Sequence, residues 1–258
     1  MPLWAYDMPP LQLVLLMIVV IEVVSLAGLL LVRRFVLPRL HFHDGINDAI
    51  SGTVQSIGVF YGITVGLIAV GVWNTYSNGS DLVSKEAASI GALYRDVSGY
   101  PEPARTALQG KLRDYTHAVI EQVWPAQKKG QVLDVGTRLL DDFQSTLFTF
   151  EPTTAGQTAL HGEALRAFNT LIEYRRLRID AVGGGLSTIM WAVIWVGAAF
   201  SIGVAYLYNI EDLKIHIIIV ALMAGFLAIV LFMIVINDKP FYGSVSITPE
   251  PYKTILDK

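Results

Sequence analysis

Few side chains in this 258-residue sequence have the type and setting to do chemistry, and most of those lie in or beside apolar stretches. Glu22 stands in the middle of the apolar run LLMIVVIEVVSLAGLLLV. A carboxylate at that depth costs at least a few kcal/mol, so an intramembrane acid is a functional candidate by default. It could gate or relay a proton, or it could be a protonated acid bonded to a neighbouring hydroxyl. The stretch His41-Phe42-His43-Asp44 has two imidazoles and a carboxylate, but no third or fourth zinc ligand is evident, and a polar loop at a headgroup boundary explains it as well. No metal site, cofactor or catalytic residue is expected. Phosphate loops, nucleophile elbows and His-Glu-x-x-His helices are all missing, and with Cys 0 there is no thiolate chemistry and no disulfide.

The richest spacing is Ser51, Gln55, Gly58, Gly62, Gly66, Ala69 and Trp73, with Asp48 one step earlier. Steps of four and three place these residues on one side of one helix. Two readings fit. Small residues four apart let helix backbones approach closely in lipid. Small and polar groups also leave room for ions and water in a pore wall. In an oligomer both hold if one flank packs and the other faces the axis. Arg175, Arg176 and Arg178 form the last cluster, suited to lipid phosphate or to an electropositive vestibule that draws anions.

Helices must carry these residues. Apolar runs cover residues 11–32, 54–74, 187–208 and 215–236. Each suffices to cross about 30 Å of hydrocarbon as a helix. Such long runs are far too long for barrel strands, and only helices or closed barrels satisfy the backbone in lipid. The first run lacks a basic leader and a small-residue cleavage site, and reads as a retained anchor. The fold expected is therefore all-α: four transmembrane helices with a helical soluble domain between the second and third. Its parts are a first hairpin (1–76), the soluble domain (77–183), a second hairpin (184–237) and an extended tail (238–258). Within the soluble part, apolar spacing predicts helices over 81–97 (capped by Ser80 or Asp81), 103–124 (ended by Pro125), 134–149 and 157–179.

The net charge of −3 disfavours a nucleic-acid partner. Lipid, inorganic ions and further copies of the chain are the partners expected. Arg33, Arg34 and Arg39 argue that the first connector is cytoplasmic, while the arginines before the third span pull the other way. The side of the soluble domain stays open.

Several short motifs, taken in order, resemble those of the bestrophin-like family of mostly bacterial membrane proteins. They are Arg33-Arg34 with Pro38-Arg39, EAASIGAL (86–93) followed by Tyr94-Arg95, and Pro101-Glu102-Pro103. Then come Tyr115, Glu121 and Trp124-Pro125-Ala126, the run Tyr174-Arg175-Arg176-Leu177-Arg178, and Asp238-Lys239-Pro240-Phe241 with Gly243 and SITPEP (246–251). The resemblance implies a bacterial inner-membrane location and kinship with oligomeric anion channels, whose axial pore is lined by the second membrane helix. The aromatic-rich neck motif and the acidic calcium clasp of bestrophins proper are not found, and Phe60 and Tyr61 fall off the small-residue face. One subunit has too few helices to enclose water, so conduction requires a homo-oligomer. The leading expectation is an ion channel, anion-conducting by analogy and by its arginines, with no enzymatic activity. A membrane-anchored scaffold whose soluble helices receive a partner is the alternative.

Overall fold

A computed structural model describes residues 3–40 and 45–256. His41, His43 and Asp44, the weighed metal ligands, lie outside the described residues. Among those described, every regular element is helical. The chain divides into two compact units, Met1–Asn74 with Gly185–Asp238, and Thr75–Gly184 with Lys239–Lys258.

The first unit holds α1 (Pro10–Phe35), the membrane half of α2 (Ile46–Val97), α7 (Thr188–Ala205) and α8 (Leu213–Asp238). All four are long and apolar enough to cross a membrane. Pro10 begins α1 where a missing N–H costs nothing, and the Ser187 hydroxyl caps α7 by accepting from the Met190 amide. Leu29 of α1 and Ala224, Ala228 and Leu231 of α8 are fully buried. Small residues on α8 let α1 approach it.

Three glycines serve as notches for side chains of neighbouring helices. A Cβ on Gly197 of α7 would lie 2.3 Å from the Tyr61 ring of α2. One on Gly28 of α1 would lie 2.8 Å from the Tyr206 hydroxyl, and one on Gly225 of α8 would lie 3.1 Å from a Glu22 carboxyl oxygen. Tyr61 completes its seat by donating to the Ile194 carbonyl at 3.0 Å.

Polar side chains staple the ends of the spans. Arg33 donates to the carbonyls of Ile210 (2.9 Å) and Glu211 (2.6 Å), and Asn47 bonds both the amide and the carbonyl of Asn209. At the other end the buried Asp238 accepts from the Tyr6 hydroxyl at 2.8 Å and the Leu186 amide at 2.6 Å. Arg33 is thus an internal cap rather than a free surface cation.

The second unit comprises residues 75–97 of α2, then α3 (Ala104–Ala118), α4 (Trp124–Gln127), α5 (Val135–Phe148), α6 (Ala155–Val182) and α9 (Glu250–Leu256). Ile90 and Leu93, Leu112 and Tyr115, Leu140 and Phe143, and Leu171 share one core with Phe241, Ile247 and Tyr252 of the tail. Thr154 and Gln157 cap α6 reciprocally: the Thr154 hydroxyl accepts from the Gln157 amide, and the Gln157 side chain accepts from the Thr153 amide.

The structure corrects the expected elements in three places. The second span and the first soluble helix are one 52-residue helix, without a break at Ser80 or Asp81. The helix before Pro125 continues to Gln127, because a π turn over Val119–Val123 changes the pairing that proline would otherwise clash with. The tail is not extended throughout: Glu250–Leu256 forms α9, which buries Tyr252.

Candidate functional site

The membrane half of α2 is only partly covered by its own chain. Its buried side consists of Ile50, Val65, Ile68, Ala69 and Val72. Asp48, Gln55, Gly58, Gly62 and Gly66 are exposed, and Ser51 is half-buried under a hydrogen bond from the Tyr208 hydroxyl. Ala69 departs from the expected set. It lies between Val65 and Val72 on the inward side and is 5% exposed. Helical spacing still places Ala69 on the same side as Gly58 and Gly62; it is buried because that side is covered at this level of the helix.

Hydroxyls on this helix are satisfied locally. Ser51, Thr53, Ser56 and Thr64 each donate to the carbonyl four residues earlier, at 2.7–3.0 Å. The Gln55 amide and the Asp48 carboxylate have no such bond and no ion pair among the described residues. They are the polar groups that this face presents outward.

A Cβ added to Gly58, Gly62 or Gly66 would meet nothing within 4 Å. These glycines floor an open groove of about 390 Å³, walled by Ile202 of α7 and by Phe226 and Leu227 of α8. The adjacent face of α2 is a bulky apolar ridge. Val59, Ile63 and Leu67 along it are 59%, 58% and 68% exposed.

Glu22 is half-buried on α1, with its carboxyl against the notch at Gly225 and no hydrogen bond or ion pair among the described residues.

The arginine cluster divides. Arg176 is exposed, and Arg175 is half-buried and donates to the Thr137 hydroxyl at 2.8 Å. Arg178 does not belong to that surface. It is 1% exposed, since it sits two turns after the buried Leu171 on the same face of α6. The vestibule or lipid-phosphate role expected for it is therefore corrected.

Arg178 instead closes a buried polar hub. Its Nε and Nη2 donate to the two oxygens of Glu86 (2.5 and 3.2 Å), and its Nη1 donates to Gln127 at 2.8 Å. The Tyr115 hydroxyl donates to Glu86 at 2.7 Å, and the guanidinium lies 5.6 Å from the Trp124 ring. Trp124 and Gln127, both buried, lie in the short helix that follows the π turn. Burial alone would lower the Arg178 pKa, but the Glu86 carboxylate outweighs it, so the net shift is upward. Burial first, then Glu86, pushes both Tyr115 and Tyr252 well above the usual phenol range. The signal available in the sequence was Glu86 itself, an acid at a core position of the 83–90–93–97 stripe.

Taken together, four spanning helices and a helical insert make this an all-α membrane protein whose long second helix bears its most exposed polar face. Comparison with known proteins gives the family. The model of the Bestrophin-like domain matches residues 19–252, and the chain belongs to that family. A bacterial bestrophin homologue from Klebsiella pneumoniae, solved as two single-substitution variants, superposes with a TM-score of 0.68 at 9% identity. The match covers 95% of this chain and 98% of that one. Another crystal structure, described as a membrane protein, gives a TM-score of 0.68 at 8% identity over 95% and 97% of the two chains. No curated protein matches the sequence.

Proposed function

We propose that copies of this chain assemble about a central axis as an ion channel, each contributing the membrane half of α2 to the wall. Family membership supports the class of function. The observation that carries the assignment to α2 is the pair Asp48 and Gln55, exposed on a spanning helix and with no side-chain partner among the described residues. Polar groups at membrane depth need water or a neighbouring protein surface, and a hydrated path between copies provides both. Asp48, Ser51 and Gln55 form the hydrophilic approach. Gly58, Gly62 and Gly66 leave the backbone bare, with one flank packed against a neighbour and the other toward the axis. Arg175 and Arg176 attract anions outside the membrane, and the kinship with anion channels favours chloride-like cargo. The chain is a conduit and not an enzyme, and it works in a bacterial inner membrane.

The test is flux from liposomes containing the purified protein under a salt gradient. Ions are expected to pass, with anions exceeding cations, and Gly62→Trp is expected to reduce the flux by obstructing the wall. Unchanged flux in Gly62→Trp, with assembly intact by native mass, removes α2 from the path. Absent flux from the intact oligomer removes the channel itself.

A further inference from the structure

The chain enters and leaves the second unit at Thr75, Gly184 and Lys239, next to spanning segments. A turn at that end of the unit leaves two aliphatic side chains uncovered beside two lysines. We infer that this turn, residues 128–133, docks on the lipid surface. Val132 and Leu133 enter the boundary between headgroups and acyl chains, and Lys128 and Lys129 meet anionic phosphates. The inference needs the spanning helices and not the channel.

Helix levels place the turn. A connection of six residues joins α2 to α3, and the two helices share a core, so they run antiparallel. The Tyr115 hydroxyl donates to Glu86 at 2.7 Å, and each of these residues lies eleven positions from its own end of that connection. The helices are therefore in step, at about 1.5 Å per residue. At this pace Ala126 comes level with Thr75, the first residue of this unit on α2. The next residues are the turn. The chain also re-enters the unit beside it, because Gly243, four residues after Lys239, donates its amide to the Lys128 carbonyl at 3.2 Å.

Local bonds fix what the turn presents. Gly130, at φ +71°, ends the helix: its amide donates to the Gln127 carbonyl, and the Gln131 amide donates to that of Ala126. Lys129 is exposed and Lys128 half-buried. Val132 and Leu133 follow at 52% and 37% exposed. Neighbouring aliphatics beside lysines match a lipid surface on both counts. Hydrocarbon gains by leaving water for the acyl boundary, and each lysine near an anionic leaflet strengthens binding about fivefold. Asp134 is the one acid in 128–134, and it sits at the start of α5, where helix amides offset its charge.

The absence of native cysteine lets a single label report depth. The full chain with Val132→Cys is labelled with bimane and placed in nanodiscs of mixed phosphatidylcholine and phosphatidylglycerol. Two quenchers are compared: a lipid with a nitroxide near the glycerol end of its acyl chain, and iodide in the water. Strong quenching by the lipid and weak quenching by iodide are expected at Val132→Cys. The reverse is expected at Thr106→Cys, an exposed site at the opposite end of α3. Adding Lys128→Gln and Lys129→Gln to the labelled chain should lower the ratio of docked to undocked turn by about tenfold or more. Discs of phosphatidylcholine alone should lower it in the same direction. Leu133→Cys repeats the measurement if the first variant fails to fold. Iodide quenching at both turn positions equal to that at Thr106→Cys overturns the inference. Shielding from both quenchers overturns it too, since that marks a protein surface over the turn. Lipid quenching indifferent to the lysines and to phosphatidylglycerol also overturns it, because no phosphate is then being recognised.

Discussion

At the scale of single residues, the glycines of this protein fall into two populations. Gly197 is filled by the Tyr61 ring, so Gly197→Ala forces that ring out of its seat and away from the Ile194 carbonyl. Overpacking of this kind costs about 1–3 kcal/mol, to be read as a lower unfolding midpoint in detergent. Gly58→Ala meets no atom of its own chain and sits inside a helix, so it should leave that midpoint unlowered or raise it slightly. Glu86→Ala strands a buried guanidinium, a loss of about 3–5 kcal/mol. Replacing both charges, Glu86→Leu with Arg178→Leu, should recover much of that loss in the same unfolding measurement, because a buried ion pair is a weak source of net stability. The phenols nearby give a pH signature. Tyr115 and Tyr252 have folded pKa values well above their ordinary ones, so their contribution is complete below about pH 10 and declines as pH rises beyond it. Tyr100, pushed up to about 12 by burial and then by Asp96, adds to the same decline. Alkaline unfolding should begin in the second unit, and Tyr115→Phe should flatten its slope.

At the scale of elements, the spans were legible because their signal is simple. The run 11–32 became α1 (Pro10–Phe35), and 215–236 became α8 (Leu213–Asp238), each lengthened by a few helical end residues that include the polar Arg33, Arg34, Lys214, Asn237 and Asp238. The continuity of α2 was not legible. Asn78-Gly79-Ser80 has the composition of a helix break and cap, and nothing local says otherwise. The reason for Gly79 is tertiary: a Cβ there would lie 3.0 Å from Ile247 and 3.3 Å from Phe241, so it gives the tail room to dock. The π turn before Pro125 was hidden for a similar cause, since only the hub that it serves explains it. Of the candidate site, the shared helix face of the residues from Asp48 to Gly66 was readable from spacing. Ala69 and Arg178 were not, because spacing gives a helix face and not what covers it. Asp238 belongs to this scale too. It joins the Leu3–Asp7 turn, the start of α7 and the end of α8. Asp238→Ala should free the amino-terminal segment, seen as faster proteolysis near Tyr6, while Asp238→Asn, which keeps one acceptor oxygen and loses the other, should give an intermediate rate.

At the scale of the whole molecule, the channel proposed above has a ring of copies as its unit of function, and that makes a quantitative demand. If the path is shared, one obstructed copy obstructs it for all. Wild-type chains co-expressed with a growing fraction of Gly62→Trp chains should then lose flux faster than in proportion to that fraction. A protein with a separate path in each copy would lose it linearly. The ratio is read from mixed oligomers whose composition is measured by mass.

The hydroxyls of α2 have one last implication. Because Ser51, Thr53, Ser56 and Thr64 have turned their protons onto their own backbone, the polarity that a newly made chain leaves unmet along that rod narrows to Gln55 and, at its end, Asp48. Those two side chains, rather than the hydroxyls, set what a lone copy loses while it waits in lipid for its sisters.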